Sequence, residues 1–128
     1  MNCPVCKDPM VILELNQVEI DSCFNCGGIW LDGGELEMLI ENEDERNRLL
    51  NSFRVNNKVK EKKYKCPACR KKMLKVEAAN TDIIIDKCPN DHGLWFDEGE
   101  LTKILHSASL KEDEKVIILL KEIFKSRI

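Results

Sequence analysis

Seven cysteines and one of the two histidines carry most of the chemistry that this sequence can perform. The first half contains two Cys-x-x-Cys pairs, Cys3 with Cys6 and Cys23 with Cys26, with sixteen residues between the pairs. Thiolates are ligands that Zn²⁺ prefers, and four of them complete its tetrahedral coordination. The spacing therefore predicts a zinc site formed by Cys3, Cys6, Cys23 and Cys26.

The second half contains a similar set, in which Cys66, Cys69 and Cys88 lack a fourth cysteine. His92 stands one position beyond the missing thiol, and an imidazole reaches further from its backbone than a thiolate does. Asp91 occupies the aligned position itself and is the alternative fourth ligand. We expect His92, because it completes two sets with no thiol left over, and we therefore expect two zinc ions per chain.

Both sets are typical of structural metal sites rather than catalytic ones. A catalytic zinc keeps one position open for water, and four protein ligands leave none. A zinc-dependent hydrolase is the alternative at the second site only, where an unbound His92 would open a position beside Glu100 or Asp91 as a base. Redox catalysis is not favoured, because the cysteine pairs precede strands or glycines rather than a helix of a βαβ unit. The expectation is a protein that is not an enzyme.

The ligands belong to a tandem repeat. The stretch Cys23–Leu36 reads CFNCGGIWLDGGEL, and Cys88–Leu101 reads CPNDHGLWFDEGEL. With Cys-Pro-x-Cys upstream, this sequence pattern resembles that of the transcription factor IIB-type zinc-ribbon family of small prokaryotic proteins. The resemblance covers residues 3–39 closely and 66–103 more loosely, since the second copy departs from it at Asp91 and His92. It implies a zinc-ribbon fold and a link to transcription or nucleic acid.

The elements that position the ligands follow from periodicity. Residues 10–15 and 18–21 have the apolar and alternating patterns of two strands around a turn at Asn16-Gln17, which predicts a hairpin with a cysteine pair at each end. Residues 29–31 predict a third strand. The Asp32 and Glu35 spacing predicts a capping box at the start of a helix from about 33 to 41, continued or restarted to about 53.

The second half repeats this order, with strands at 73–76, 83–85 and 94–96 and a helix from about 98 to 106. The predicted fold class is thus a small, metal-stabilised α+β protein, made of two zinc-ribbon repeats that each combine a β-hairpin, a third strand and a following helix. Trp30 and Trp95 are expected in the core. Glu35 and Glu100 are expected to cap helices rather than to act as catalytic carboxylates.

A last helix is predicted at about 110–126, with a second capping box at Ser109 and Glu112. One face of it is apolar and carries Val116, Leu119, Leu120, Ile123 and Phe124. Such a face must pack on something. The alternative functional hypothesis is therefore an adaptor that binds a protein partner, or a second copy of the chain, through this helix.

The charge is unevenly distributed although the net value is only -3. Residues 54–75 contain ten basic side chains and one acidic one, whereas both flanking regions have an acidic excess. Residues 54–65 predict a basic linker between a first domain at 1–53 and a second at 66–128. We hypothesise that this region binds nucleic acid, with Tyr64 available to stack on a base, through Lys58, Lys60, Lys62, Lys63, Lys65, Arg70, Lys71 and Lys72. The alternative is a solvated linker that folds back on the acidic helices.

The expected compartment is the cytoplasm. No basic and apolar export segment precedes Cys3, and no apolar run approaches the length that spans a membrane. In a reducing compartment, Cys-x-x-Cys pairs are more typical of metal sites than of disulfides.

Overall fold

The computed structural model describes residues 1–78, 81–111 and 114–126, and side chains up to Ile123. The strands are β1 (Val11–Leu15), β2 (Val18–Ser22), β3 (Ile29–Asp32), β4 (Phe53–Val55), β5 (Leu74–Ala78), β6 (Ile84–Lys87) and β7 (Gly93–Phe96). The helices are α1 (Glu35–Met38), α2 (Glu43–Ser52), α3 (Glu100–Ser107) and α4 (Lys115–Ser126). The predicted small α+β class is confirmed.

All seven strands form one antiparallel sheet in the order β1-β2-β3-β7-β6-β5-β4. Its centre is the β3–β7 pair, in which the equivalent strands of the two repeats lie side by side and Trp30 is opposite Trp95. Because equivalent strands run antiparallel with equivalent residues opposite each other, the repeats are related by a local twofold axis at this pair.

The two faces of the sheet pack against two different clusters of buried residues, because successive side chains of a strand point to opposite faces. One face carries Ile20, Ile29, Leu31, Ile85 and Phe96 into an apolar core shared with the helices. The other face carries Trp30 and Trp95 into a second cluster that includes the cysteines. Both tryptophans are fully buried, as predicted.

The helices after each repeat pack across the twofold axis. The α2 helix of the first repeat packs on β5 of the second, and α4 of the second packs on β1 of the first. Val116, Ile117 and Leu120 of α4 are buried in the shared core, and Ile118 stays exposed. The described part of the apolar face of α4 is thus covered by the chain itself.

Three helix predictions need correction or qualification. The helix predicted over 33–53 is two helices, and α2 restarts at Glu43 because the Asn42 side chain accepts a hydrogen bond from the Glu45 N–H at 2.9 Å. The last helix begins at Lys115 rather than near 110. Glu112 of its predicted capping box, and the Phe124 side chain, lie outside the described residues.

The predicted linker begins as a strand. β4 pairs with β5, with Phe53 opposite Ala78 and Val55 opposite Val76, so residues 54 and 55 belong to the sheet. One sheet and one apolar core therefore join the two repeats. The division into domains at 1–53 and 66–128 with a linker at 54–65 stays a prediction. Across the described ranges, no helix has both the length and the apolar character that a membrane span requires.

Candidate metal centres

The first cluster lies where two tight turns meet. Cys3 and Cys6 lie before β1, and Cys23 and Cys26 lie between β2 and β3. The Lys7 N–H donates to the Cys3 carbonyl at 2.9 Å, and the Gly27 N–H donates to the Cys23 carbonyl at 2.8 Å. Lys7 and Gly27 both have positive φ, 70° and 78°, which closes each turn around its thiols.

Backbone and side-chain donors surround these sulfur atoms. The N–H groups of Val5 and Cys6 lie 3.4 and 3.3 Å from Cys3 Sγ. Asn25 Nδ2 lies 3.2 Å from Cys6 Sγ. Donors aimed at sulfur stabilise a thiolate, which is the form that binds metal.

The arrangement fits zinc. The sulfur atoms of Cys3 and Cys26 lie 3.7 Å apart, and the four ligand atoms of the set lie within 4.8 Å of one another. A tetrahedron with Zn–S bonds of about 2.3 Å has edges of about 3.8 Å. The thiols are therefore already at the separation that one zinc ion requires.

The second cluster repeats this geometry with one substitution. Cys69 Sγ lies 3.6 Å from Cys88 Sγ, and His92 Nδ1 lies 3.4 Å from Cys88 Sγ. The ligand atoms of Cys66, Cys69, Cys88 and His92 lie within 4.8 Å of one another. Asp91, the alternative ligand, is an exposed residue whose carboxylate pairs with Lys87 Nζ at 3.1 Å. The chain thus forms two four-ligand sites and binds two Zn²⁺ ions.

The thiols of the second cluster have divergent proton affinities. Burial raises the pKa of the Cys66 thiol to about 11. The Lys71 N–H lowers the pKa of the half-buried Cys69 thiol to about 6. Zinc must displace the protons that remain, so metal binding in this cluster is coupled to proton release.

Each tryptophan is tied to its own repeat by one hydrogen bond. Trp30 Nε1 donates to Asp32 Oδ1 at 2.8 Å, and Trp95 Nε1 donates to Asp97 Oδ1 at 3.0 Å. A buried indole N–H needs an acceptor, and the aspartate supplies it.

The predicted capping box is therefore only half right. Glu35 Oε1 accepts a hydrogen bond from the Asp32 N–H, as that motif requires, and Glu100 does the same for Asp97. The aspartate carboxylate, however, binds the indole instead of the helix. The N-cap residues are Gly34 and Gly99, which have positive φ and make no side-chain cap.

Sequence reasoning missed how the tryptophans join the repeats. A Cβ on Gly28 would overlap the ring of Trp95, and a Cβ on Gly93 would overlap the ring of Trp30. Each ring therefore packs on the glycine of the other repeat. The signal was present, since a glycine two residues before a tryptophan recurs in both copies.

Two residues of the predicted basic surface line a cavity, and the other six lie before or after them along the chain. All eight residues of this surface are exposed. Lys65 and Arg70 line a cavity of about 340 Å³, together with Cys3 and Cys66. This cavity lies between the Cys3–Cys6 turn of the first repeat and the Cys66–Cys69 turn of the second. Lys58, Lys60, Lys62 and Lys63 precede this region along the chain, and Lys71 and Lys72 follow Arg70 in its turn.

Lys7 is a cation of this cavity that sequence reasoning missed. It is the equivalent of Arg70, since each directly follows the second cysteine of its pair, and their φ values are 70° and 67°. The twofold axis thus brings two equivalent cations to one cleft. Lys7 Nζ donates to the Pro4 carbonyl at 3.1 Å, which holds its side chain over its own turn.

Two residues of the basic region have structural contacts. Lys75 is buried, and its ammonium nitrogen lies 2.7 Å from Asp86 Oδ1. Tyr64 is half-buried against the cluster that contains the two tryptophans and cysteines of both sets, and the ammonium groups of Lys62 and Lys75 each lie 5.6 Å from its ring centroid. A base that stacked on Tyr64 would compete with these cations for the ring.

Comparison with known families matches a family described as transcription factor zinc-finger, of the transcription factor IIB zinc-ribbon type, at residues 2–42 and 65–107. The two matched regions together cover more than half of the chain, and each contains one complete ligand set. No curated protein and no solved structure matches the chain.

Proposed function

Because the chain belongs to the transcription factor zinc-finger family and carries a zinc ribbon in each half, we propose that it is a non-enzymatic module that binds nucleic acid. The binding surface is the knuckle cleft, defined as the cavity between the two cysteine turns that Lys7, Lys65 and Arg70 line. This cleft is the observation that carries the proposal.

The knuckle cleft suits a phosphate backbone. Its cations lie at turns that the zinc ligands hold rigid, so the binding of a phosphate costs little conformational entropy. Arg70 can donate two parallel hydrogen bonds to one phosphate, and Lys65 adds a point charge beside it. Lys71 and Lys72 extend the positive surface along the second turn.

Charge on the rest of the molecule favours this side of the sheet. Glu43, Asp44 and Glu45 form the first turn of α2, which packs on the opposite, apolar face through Leu49. Phosphates are repelled from that face and attracted to the cysteine turns. Contacts of this kind give affinity with modest sequence specificity, because they read the backbone rather than the bases.

Coordination chemistry supports binding rather than catalysis. Both ligand sets contain four protein donors. A zinc ion held by four protein ligands has no position at which water or a substrate can be activated.

Fluorescence anisotropy with labelled duplex DNA and single-stranded RNA tests the proposal, with the zinc-loaded full chain in low and high salt. We expect affinity to fall steeply with salt. Lys65→Glu should lower affinity for every sequence and reduce the slope of log affinity against log salt by about 1. Lys103→Glu makes the same charge change on the exposed side of α3 and should alter neither value by a comparable amount. Absence of binding to both nucleic acids at low salt would contradict the proposal.

The reverse substitution tests the position of the surface. Asp8 is exposed and is the equivalent of Lys71 in the first turn. Asp8→Lys should therefore strengthen binding and steepen the salt dependence. An unchanged affinity would show that phosphates do not approach the first turn.

A further inference from the structure

The first strands of the two repeats differ at the edge of the sheet. β1 and β5 are equivalent, since each follows the first cysteine pair of its repeat. β5 is covered by β4, whereas β1 is the last strand of the sheet, with no strand beyond it among residues 1–78, 81–111 and 114–126. The twofold arrangement is therefore incomplete at β1.

Glu14 is the one charged side chain that protects β1 as an edge strand. Its sequence is Val-Ile-Leu-Glu-Leu, with no lysine or proline. The side chains of Val11 and Ile12 are 45% and 64% exposed. An apolar edge with unpaired N–H and C=O groups is a template for an added strand.

The covered edge indicates what fits on the open one. β4 pairs antiparallel with β5, with Arg54 opposite Glu77 in the strand register, and the Arg54 guanidinium donates to the carbonyls of Asn51 and Phe53 at 2.6 and 2.8 Å. The Asn56 N–H donates to the Lys75 carbonyl at 2.9 Å, and the Asn56 side chain donates to Glu77 Oε2 at 3.1 Å. The equivalents of Lys75 and Glu77 in β1 are Ile12 and Glu14, so the main-chain groups of these two residues are the outward ones.

We propose that the β1 edge binds an extended segment of a partner protein by antiparallel strand addition. The segment has the pattern apolar–basic–apolar that Phe53-Arg54-Val55 has in β4. Its main chain bonds to Ile12 and Glu14, its apolar residues pack beside Leu13 and Leu15, and its basic residue lies opposite Glu14.

Charge favours a basic partner segment over a second copy of the chain. Residues 1–53 contain three basic and eleven acidic side chains, so two such surfaces repel each other. Pairing of β1 with its own copy would also bring no cation to Glu14, since Val11–Leu15 contains none. A cationic strand satisfies both the main-chain groups and the charge.

A peptide with the sequence of residues 51–57, Asn-Ser-Phe-Arg-Val-Asn-Asn, is the probe. Its binding to the zinc-loaded full chain is measured by fluorescence anisotropy of the labelled peptide. We expect saturable binding, weakened at least about tenfold when the peptide arginine is replaced by glutamate. Glu14→Lys in the chain should weaken the native peptide and restore the glutamate peptide. Glu41→Lys, an equal charge change outside the sheet, should do neither.

Two backbone changes locate the binding edge. N-methylation of the peptide arginine removes an N–H that faces the edge and should abolish binding, whereas N-methylation of the peptide valine removes one that faces away and should not. Ile12→Pro removes an outward N–H of β1 and should abolish binding while zinc content and the folded circular dichroism spectrum are kept.

Three results would overturn the proposal. The first is equal binding of the peptide to Ile12→Pro, which would place the peptide elsewhere, for example on β5 in exchange for β4. The second is the absence of saturable binding. The third is a dimer of the wild-type chain in sedimentation that Ile12→Pro converts to a monomer, which would assign the edge to a second copy.

Discussion

The two repeats share the same arrangement of tryptophan, aspartate and metal ligands but differ in the chemistry that surrounds it. Both place a buried tryptophan at the centre of the sheet, bond its indole to an aspartate, and bring four metal ligands together on the same face. They differ in the fourth ligand and in the charge of the first cysteine turn. A dication with four thiolates carries a formal charge of roughly -2, and with three thiolates and a neutral imidazole roughly -1.

The turn residues reinforce this difference. Lys7-Asp8-Pro9 in the first repeat corresponds to Arg70-Lys71-Lys72 in the second. The second metal site is therefore both less negative and surrounded by more cations. The second repeat is better suited to attract phosphate, while the first keeps an acidic surface and an open strand edge.

The comparison extends across the sheet. In the second repeat a row runs from Trp95 through Asp86 to Lys75, and the two charges are buried. The same row in the first repeat runs from Trp30 through Asp21 to Ile12, which is 64% exposed. In the second repeat the Lys75 end of the row is buried, with its ammonium group 5.6 Å from the centroid of the Tyr64 ring, and it forms a charge pair with Asp86.

The largest expected effect is loss of a ligand, and it separates the two metal sites. Cys23→Ser should destabilise the whole chain by several kcal/mol, because zinc binding contributes folding free energy and both repeats share one core. His92→Ala also leaves three thiolates in its site and should lower zinc content from two ions to one, with a smaller loss of melting temperature because His92 is exposed whereas Cys23 is buried. Metal analysis and thermal unfolding measure both. Two retained zinc ions in His92→Ala would point to Asp91 or water as the fourth ligand.

The buried ion pair gives the next largest effect. Lys75→Met should cost about 3–5 kcal/mol, because it leaves the carboxylate of Asp86 buried without its cation. The matched change in the first repeat is Ile12→Lys, which places a lysine opposite Asp21 near the surface and should alter stability by less than about 1 kcal/mol. Chemical denaturation of both variants measures the difference. Similar changes in stability for the two variants would mean that the energy of the Lys75–Asp86 pair does not depend on its burial.

The glycine contacts test whether the repeats depend on each other. Gly28→Ala should cost about 3 kcal/mol, because its methyl group would overlap the buried Trp95 ring. Gly99→Ala is the control: its φ is 83° but no atom lies within 4 Å of an added Cβ, so only backbone strain of about 1 kcal/mol applies. The ratio of the two losses in denaturant unfolding reports the tryptophan contact. Equal losses would contradict the reciprocal packing.

Local features of this fold were predictable from the sequence, and contacts between repeats were not. Cysteine spacing, strand alternation and the Asp-x-x-Glu spacing act over a few residues, so they indicated the ligands, the hairpins and the bond from Glu35 to the Asp32 N–H. The β3–β7 pairing and the exchange of α2 and α4 depend on which surface each element meets in space. Gly28 illustrates the limit, because its pattern predicts a turn while its closest neighbour is a ring from the other repeat.

The smallest expected effect compares the two glutamates that bind the aspartate N–H groups. Burial raises the pKa of Glu100 to about 7, and it raises the pKa of Glu35 as well. Between about pH 4.5 and pH 7 the folded chain holds a proton on Glu100 that the unfolded chain has lost, so this carboxyl group lowers stability as the pH rises over that interval and by a constant amount above it.

Glu100→Gln keeps an acceptor for the Asp97 N–H and cannot ionise. Relative to wild type it should gain stability as the pH rises from 6 to about 7, by at most about 1 kcal/mol because the site is partly screened by solvent, and the gain should level off above about pH 7. Glu35→Gln should show a smaller gain over the same range. Denaturant unfolding with zinc in excess measures both curves, since thiolate ligands keep their metal there. A gain that does not change with pH over this range would show that Glu100 is ionised throughout it, and a gain that shrinks as the pH rises would have the wrong sign.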